Sequence, residues 1–147
     1  MFDDPGAKLS FERMTGIEKR LSGNACQDFE LVWVLKEELG DKTKLMGREI
    51  AYLSLTHLSI YHPSALVRHE AAFVIGEYSP QQSTFLDIPA LHDSDPVVRH
   101  EACLAMGAPI NRCVRKYNGI LGYIAETDSS EMVRDSAKVA LRRRNAG

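Results

Sequence analysis

Histidine and glutamate stand side by side at two points, His69-Glu70 and His100-Glu101, inside the same five-residue sequence, Val-Arg-His-Glu-Ala. Imidazole nitrogens and carboxylate oxygens are ligands for zinc and for iron. A segment repeated after about 30 to 45 residues is typical of stacked helical hairpins. Helix packing in such a stack requires the valine and alanine of the sequence, but not its histidine and glutamate. The two pairs are therefore the first candidates for chemistry.

The geometry of neighbouring helices is compatible with a metal site. Equivalent helices in a stack lie about 8–10 Å apart, so His69 and His100 can reach toward one ion, each at about 2.1 Å. Glu70 and Glu101 follow about 100° round their helices, so one can complete the ligand shell while the other stands beside it. Two histidines and one carboxylate with open positions are the set that holds non-haem Fe(II). Zinc would also accept these ligands, although no cysteine lies in the same register for a thiolate site.

A third copy of the segment, residues 130–141, keeps Val-Arg-x-x-Ala but has Asp135-Ser136 in place of His-Glu. Two interpretations of the pairs stay open on this evidence. In the first, histidine and glutamate fill exposed positions and recur only because the repeats descend from a duplication. In the second, they form a metal site on two of the three copies.

The apolar pattern predicts an all-α solenoid of about four helical hairpins, or eight helices, in a single domain of residues 1–147. Residues 1–7 are expected to be an untethered start, with Pro5-Gly6 as a helix breaker. Asp41 is expected to cap the third helix, and Ser79-Pro80 to start the fifth. The hairpins are expected at about residues 8–40, 41–78, 80–108 and 110–145, with individual helices over 8–21, 26–39 and 110–125.

The remaining chemistry-bearing residues have simpler interpretations. His57, His62 and His92 are expected at helix ends or in turns, facing solvent. Cys103 aligns with an alanine of the first copy and is expected in the core. The basic run at residues 142–144 fits the last turn of a helix, which favours cations.

Bulk composition narrows the class of protein. The net charge is −2 over 147 residues, which argues against nucleic acid as a partner. Three cysteines, an odd number, fit a reducing compartment. No apolar run has the length of a membrane span, and the acidic start lacks the features of a signal peptide. A cytoplasmic protein without membrane contact is expected.

Three segments resemble one lobe of deoxyhypusine hydroxylase, a family of HEAT-like (bilin-lyase-type, or PBS lyase) repeats. They are residues 65–77 (ALVRHEAAFVIGE), 97–108 (VVRHEACLAMGA) and 130–144 (SEMVRDSAKVALRRR). That family has two lobes of four helix pairs and is a di-iron monooxygenase acting on a translation factor. The resemblance implies His69, His100 and Glu101 as ligands to one iron. It also implies a catalytic role for Glu70 near the substrate amine.

This chain departs from the family because it holds one lobe and therefore one half of a di-iron site. A complete site would require a second copy facing the first across a two-fold axis, in a homodimer. The expected function is that of an iron-binding HEAT-repeat protein, with a di-iron hydroxylase as the homodimeric form. The alternative is a non-catalytic scaffold. In either case a protein substrate or partner is expected on the concave face.

Overall fold

The computed structural model describes residues 5–146 and confirms the all-α solenoid, with eight α-helices and no strand in that range. The helices are α1 (Pro5–Thr15), α2 (Ala25–Gly40), α3 (Leu45–Tyr61), α4 (Ala65–Tyr78), α5 (Asp87–His92), α6 (Pro96–Met106), α7 (Lys116–Thr127) and α8 (Glu131–Asn145). Two 3₁₀ turns, Ile17–Lys19 and Pro109–Asn111, lie in the connections. Among the described helices, none has both the length and the apolar character needed to cross a membrane.

The helices form two layers. The first layer holds α1, α3, α5 and α7, and the second holds α2, α4, α6 and α8, with each second-layer helix packed on the next. The helices α4, α6 and α8 also pack on the first-layer helix that precedes each of them. Large apolar side chains such as Leu55, Ile75, Met106 and Leu121 are buried in the core that these contacts enclose. The organisation of the whole chain as a single domain stays a prediction.

The second-layer helices approach one another closely at two glycines. A Cβ atom added to Gly76 would lie 2.8 Å from the Cβ of Ala105, and one added to Gly107 would lie 2.8 Å from the Cα of Ala140. Both glycines close a copy of the repeated segment, and each meets an alanine of the following repeat. The closing glycine is therefore required by the contact between repeats.

Arginine–aspartate pairs join successive repeats, one of them buried and one partly buried. Arg68 donates to both carboxylate oxygens of Asp93, at 2.8 and 3.1 Å. Arg99 does the same to Asp128, at 3.0 and 3.1 Å. Two-pronged pairs of this kind fix orientation as well as distance. Each pair therefore sets the position of one repeat relative to the next.

The first joint of the stack uses a different pair, Asp28 and His62, whose Oδ2 and Nε2 atoms lie 2.8 Å apart. Ser22 donates its backbone N–H and its hydroxyl to the other carboxylate oxygen, each at 2.8 Å. Burial alone would raise the pKa of Asp28, but these hydrogen bonds outweigh that effect and lower it. Asp28 stands at the position that Arg68 and Arg99 occupy in their own helices, so the carboxylate is on the opposite side of this joint.

The expectation that His57 and His62 face solvent is wrong. Only 2% of the surface of His57 and 7% of that of His62 is exposed. His57 lies within α3, where its Nε2 atom is 3.2 Å from Glu12 Oε1 of α1. Burial lowers the pKa of His57, although the Glu12 carboxylate opposes this effect. His92 is exposed, as expected.

Three expectations about helix boundaries in the first part of the chain are also wrong. Pro5-Gly6 forms part of α1 and does not break it. Residues 1–4 of the expected untethered start lie outside the described residues. The helix expected over 8–21 ends at Thr15, where Gly16 adopts a left-handed φ of 63°. Asp41 does not cap α3, since its side chain accepts from Thr43 instead.

The fifth helix begins at Asp87 and not at Ser79-Pro80. The irregular backbone before it is satisfied by side chains of the next repeat. Asn111 accepts from the Ser83 backbone N–H at 2.7 Å, and the Tyr117 hydroxyl accepts from that of Leu86 at 3.2 Å. These tertiary hydrogen bonds replace the helical ones. Likewise, the helix expected over 110–125 is a 3₁₀ turn followed by α7.

We predict that Gly76→Ala lowers the free energy of unfolding by about 1–3 kcal/mol, because its methyl group would overlap Ala105 of α6. The matched control is Gly122→Ala within α7, where an added Cβ meets no atom within 4 Å. The control should be neutral or stabilising by up to about 1 kcal/mol, from helix propensity alone. Urea unfolding followed by circular dichroism measures both. Equal effects of the two substitutions would contradict the close-approach explanation.

Candidate functional site

The two His-Glu pairs lie in the second turns of neighbouring second-layer helices, His69-Glu70 on α4 and His100-Glu101 on α6. The start of α6 is fixed by Asp95, whose side chain accepts from the Val97 backbone N–H at 2.9 Å. In each helix the residue directly before the histidine is the arginine that ties its repeat to the next. The Arg–Asp pairs therefore hold the His-Glu pairs in register.

The histidine of the first copy meets the glutamate of the second. His69 Nε2 lies 3.3 Å from Glu101 Oε2, and His69 Nδ1 lies 3.9 Å from Oε2 of its own neighbour, Glu70. The side chains of His69, Glu70 and Glu101 are 26%, 13% and 12% exposed. All three side chains are thus half-buried and in contact with one another. Duplication of two solvent-exposed positions would not by itself require such contacts.

The carboxylates change the acidity of His69. The hydrogen bond with Glu101 is the largest influence and raises the pKa of the imidazole. Partial burial opposes this rise, while the charges of Glu101, Glu70 and Asp95 add to it. The cationic form of His69 is therefore favoured beyond its usual pH range.

The second histidine has a different neighbour. His100 Nδ1 is hydrogen-bonded to Ser136 Oγ of α8, and this serine in turn donates to the Met132 carbonyl at 2.7 Å. Ser136 is 5% exposed. It occupies the position in the third copy that Glu101 occupies in the second, so the same pairing between repeats recurs with a hydroxyl in place of a carboxylate.

The donor set fits a metal in its chemistry but is not gathered around one point. Within residues 5–146, no group of three or more His, Cys, Asp or Glu side chains is placed to hold an ion. The structure brings His69, Glu70 and Glu101 together, whereas the hydrogen bond of His100 is to Ser136. Binding an ion would require His69 Nε2 to leave Glu101. The three-ligand set of His69, His100 and Glu101 stays a prediction.

Exposed apolar side chains accompany the pairs. Leu66, Val97 and Met132 each lie two residues after the N-cap of α4, α6 or α8, and they are 57%, 46% and 41% exposed. Side chains three or four positions apart share one face of a helix. The His-Glu pairs are therefore bordered by an apolar row that runs across three repeats.

Sequence reasoning did not identify Ser136 as part of the site. It identified the position only as one where the His-Glu pair has been lost. The available signal was the register: if each histidine faces the glutamate position of the following repeat, His100 must face residue 136. The sequence pattern also does not show that Arg68 and Arg99 set this register, because it indicates them only as part of the repeat.

Comparison with known proteins agrees with the repeat architecture. A family model described as HEAT repeats matches residues 53–142. A deoxyhypusine hydroxylase from Aspergillus clavatus is 41% identical over 81 residues, which is 54% of this chain and 23% of that protein. The match therefore spans less than a quarter of the relative's length. No solved structure matches the chain.

We predict a pH-dependent coupling between His69 and Glu101. Because the pKa of His69 is raised in the folded state, its contribution to stability is complete below the unfolded value of about 6.5 and is lost as pH rises through the folded value. A double-mutant cycle of His69→Gln and Glu101→Gln, measured by urea unfolding, should give a coupling of about 0.5 kcal/mol at pH 5.5. The coupling should fall toward zero at alkaline pH. A coupling that does not change with pH would contradict this assignment.

Proposed function

The chain belongs to the HEAT-repeat family, and on that premise we propose that it is an iron-binding repeat protein related to one half of deoxyhypusine hydroxylase. The observation that carries the proposal is the meeting of His69 and Glu101, from two separate repeats, at 3.3 Å. Both residues belong to the segments that resemble the hydroxylase. The proposal extends to a hydroxylase activity when two chains pair.

Each residue has a distinct role in this proposal. The ligands to iron would be His69, His100 and Glu101, in the two-histidine, one-carboxylate set that leaves positions open. Iron held in this way would supply the activation of O₂. Glu70 lies beside His69 and would hold a cationic group of the substrate close to the site. The apolar row of Leu66, Val97 and Met132 would contact the remainder of a protein substrate.

The same contacts explain why a metal would have to compete for the site. In the metal-free protein the Glu101 carboxylate already holds the imidazole of His69, and it favours the protonated form that binds no metal. An ion would take the place of that proton, bound by the same two side chains. In the metal-free protein, the contact between His69 and Glu101 thus keeps two ligands in position. Neither of the two charges is left unpaired.

A di-iron centre needs more ligands than one row of His-Glu pairs supplies. The match covers 23% of the hydroxylase relative, and this chain carries a single row of His-Glu pairs. We therefore propose that a di-iron centre would form between two copies whose apolar rows and His-Glu pairs face each other across a two-fold axis. A cytoplasmic location, expected from the cysteines, stays a prediction.

The second candidate is a non-catalytic scaffold that binds a partner protein. The observation that favours it is the exposed apolar row beside a His69–Glu101 contact that is already satisfied. In that function the His-Glu pairs would only tie repeats together. The site would take no metal, and the apolar row would provide the binding surface.

Metal content distinguishes the two candidates. We predict about one Fe(II) per chain in protein reconstituted without oxygen and without a histidine tag. His69→Ala and Glu101→Ala should each lower that content severalfold while circular dichroism shows the helical content retained, because each removes one of three ligands. Elemental analysis of dialysed samples measures the iron.

The control for this experiment is His92→Ala, which removes an exposed histidine at the end of α5 and should leave the iron content unchanged. Native mass spectrometry of the loaded wild-type protein gives the oligomeric state. An iron-loaded chain that stays monomeric at micromolar concentration would contradict the two-chain centre. A wild-type chain that takes up no iron would contradict metal binding and favour the scaffold.

A further inference from the structure

Ser136 and His100 form a contact that the proposed ligand set does not include. Ser136 lies on α8, is buried, and is hydrogen-bonded to His100 Nδ1 of α6. It stands in the third copy of the repeated segment, where the first two copies have glutamate. The contact therefore crosses the same joint between repeats at which Arg99 binds Asp128.

The direction of this hydrogen bond follows from counting protons. A serine hydroxyl has one hydrogen, and a backbone carbonyl can only accept. Since Ser136 Oγ lies 2.7 Å from the Met132 carbonyl oxygen, its hydrogen is donated there. The oxygen must then accept from His100, which places a proton on Nδ1. In the neutral imidazole the other nitrogen, Nε2, consequently carries the lone pair.

We propose that Ser136 is a positioning residue that holds His100 in the Nδ1–H tautomer, with Nε2 presented as a metal ligand. This inference rests on the proposed iron-binding function. Ligating histidines characteristically donate their second N–H to a neighbouring group, which fixes both the tautomer and the ring orientation.

The two histidines are therefore prepared differently. His69 is held by the carboxylate of Glu101, whereas His100 is held by a neutral hydroxyl. No protein group in the described part of the chain is bonded to His100 Nε2. His100 Nε2 is therefore available to an ion without breaking a contact between protein groups.

The first test reads the tautomer directly in metal-free protein. Long-range ¹H–¹⁵N spectra distinguish the two nitrogens of each of the five histidines, and loss of signals in His100→Gln identifies those of His100. The wild type should show the Nδ1–H form. Ser136→Ala should show loss of that form, and Ser136→Thr, which keeps the hydroxyl, should restore it. An Nε2–H ring in the wild-type protein would overturn the proposal.

The second test measures affinity for Co²⁺, a spectroscopically visible ion that takes the same ligands as Fe(II). Ser136→Ala should weaken binding about 10- to 100-fold, and Ser136→Thr should recover most of that loss. Urea unfolding of each variant shows that the comparison is made on folded protein. Unchanged affinity together with an unchanged tautomer in Ser136→Ala would overturn the role of Ser136.

Failure of the underlying function gives a different result. If the wild-type protein takes up neither Co²⁺ nor Fe(II), the proposed iron binding is contradicted. The positioning role of Ser136 is then tested by the ¹H–¹⁵N spectra alone. An Nδ1–H form of His100 that is lost in Ser136→Ala would then support the positioning of His100 without metal. A His100 tautomer that Ser136→Ala does not change would overturn that role.

Discussion

The pairing of arginine with aspartate between successive repeats is the interaction on which the arrangement of the site depends. Arg68–Asp93 and Arg99–Asp128 are each held by two hydrogen bonds, so a repeat cannot slide or rotate relative to the next without breaking both. The histidine follows the arginine directly in the chain. Whatever fixes the arginine therefore fixes where the imidazole meets the following repeat. A buried charge pair adds little net stability by itself, and its value here is the register that it imposes.

Much of the fold was predictable from the sequence, because repeated segments report the same local structure several times. The copies ending at Gly76 and Gly107 indicated stacked helices, and the structure shows that these glycines permit contact with Ala105 and Ala140. The prediction was wrong for the segments that connect the repeats. The start of α5 is set by backbone N–H groups that donate to Asn111 and Tyr117, which lie about 30 residues away and leave no local pattern. Tertiary contacts of this kind override local propensity.

The contacts of the candidate site were predictable only in part. Equivalent positions on adjacent helices pair His69 with His100, whereas the structure brings His69 to Glu101, one residue further along, and His100 to Ser136. The burial of His57 and His62 could not be predicted, because it depends on Glu12 and Asp28 in other helices. At the joint between Asp28 and His62, the acidic residue lies on the second-layer helix and the basic residue follows the first-layer helix, which is the reverse of the Arg–Asp joints. A sequence pattern based on the Arg–Asp joints therefore does not identify this joint.

The outer surface of α8 bears on where a second lobe or a second copy could sit. Lys138 and Arg142 stand at the positions that hold Ala72 and Gly76 in α4, and both are exposed. A further helix could not approach α8 as α6 approaches α4, because a long charged side chain replaces the glycine at the closest contact. In the two-chain centre proposed above, the second copy would therefore face the row of His-Glu pairs and its apolar border and would not pack on α8 as α6 packs on α4.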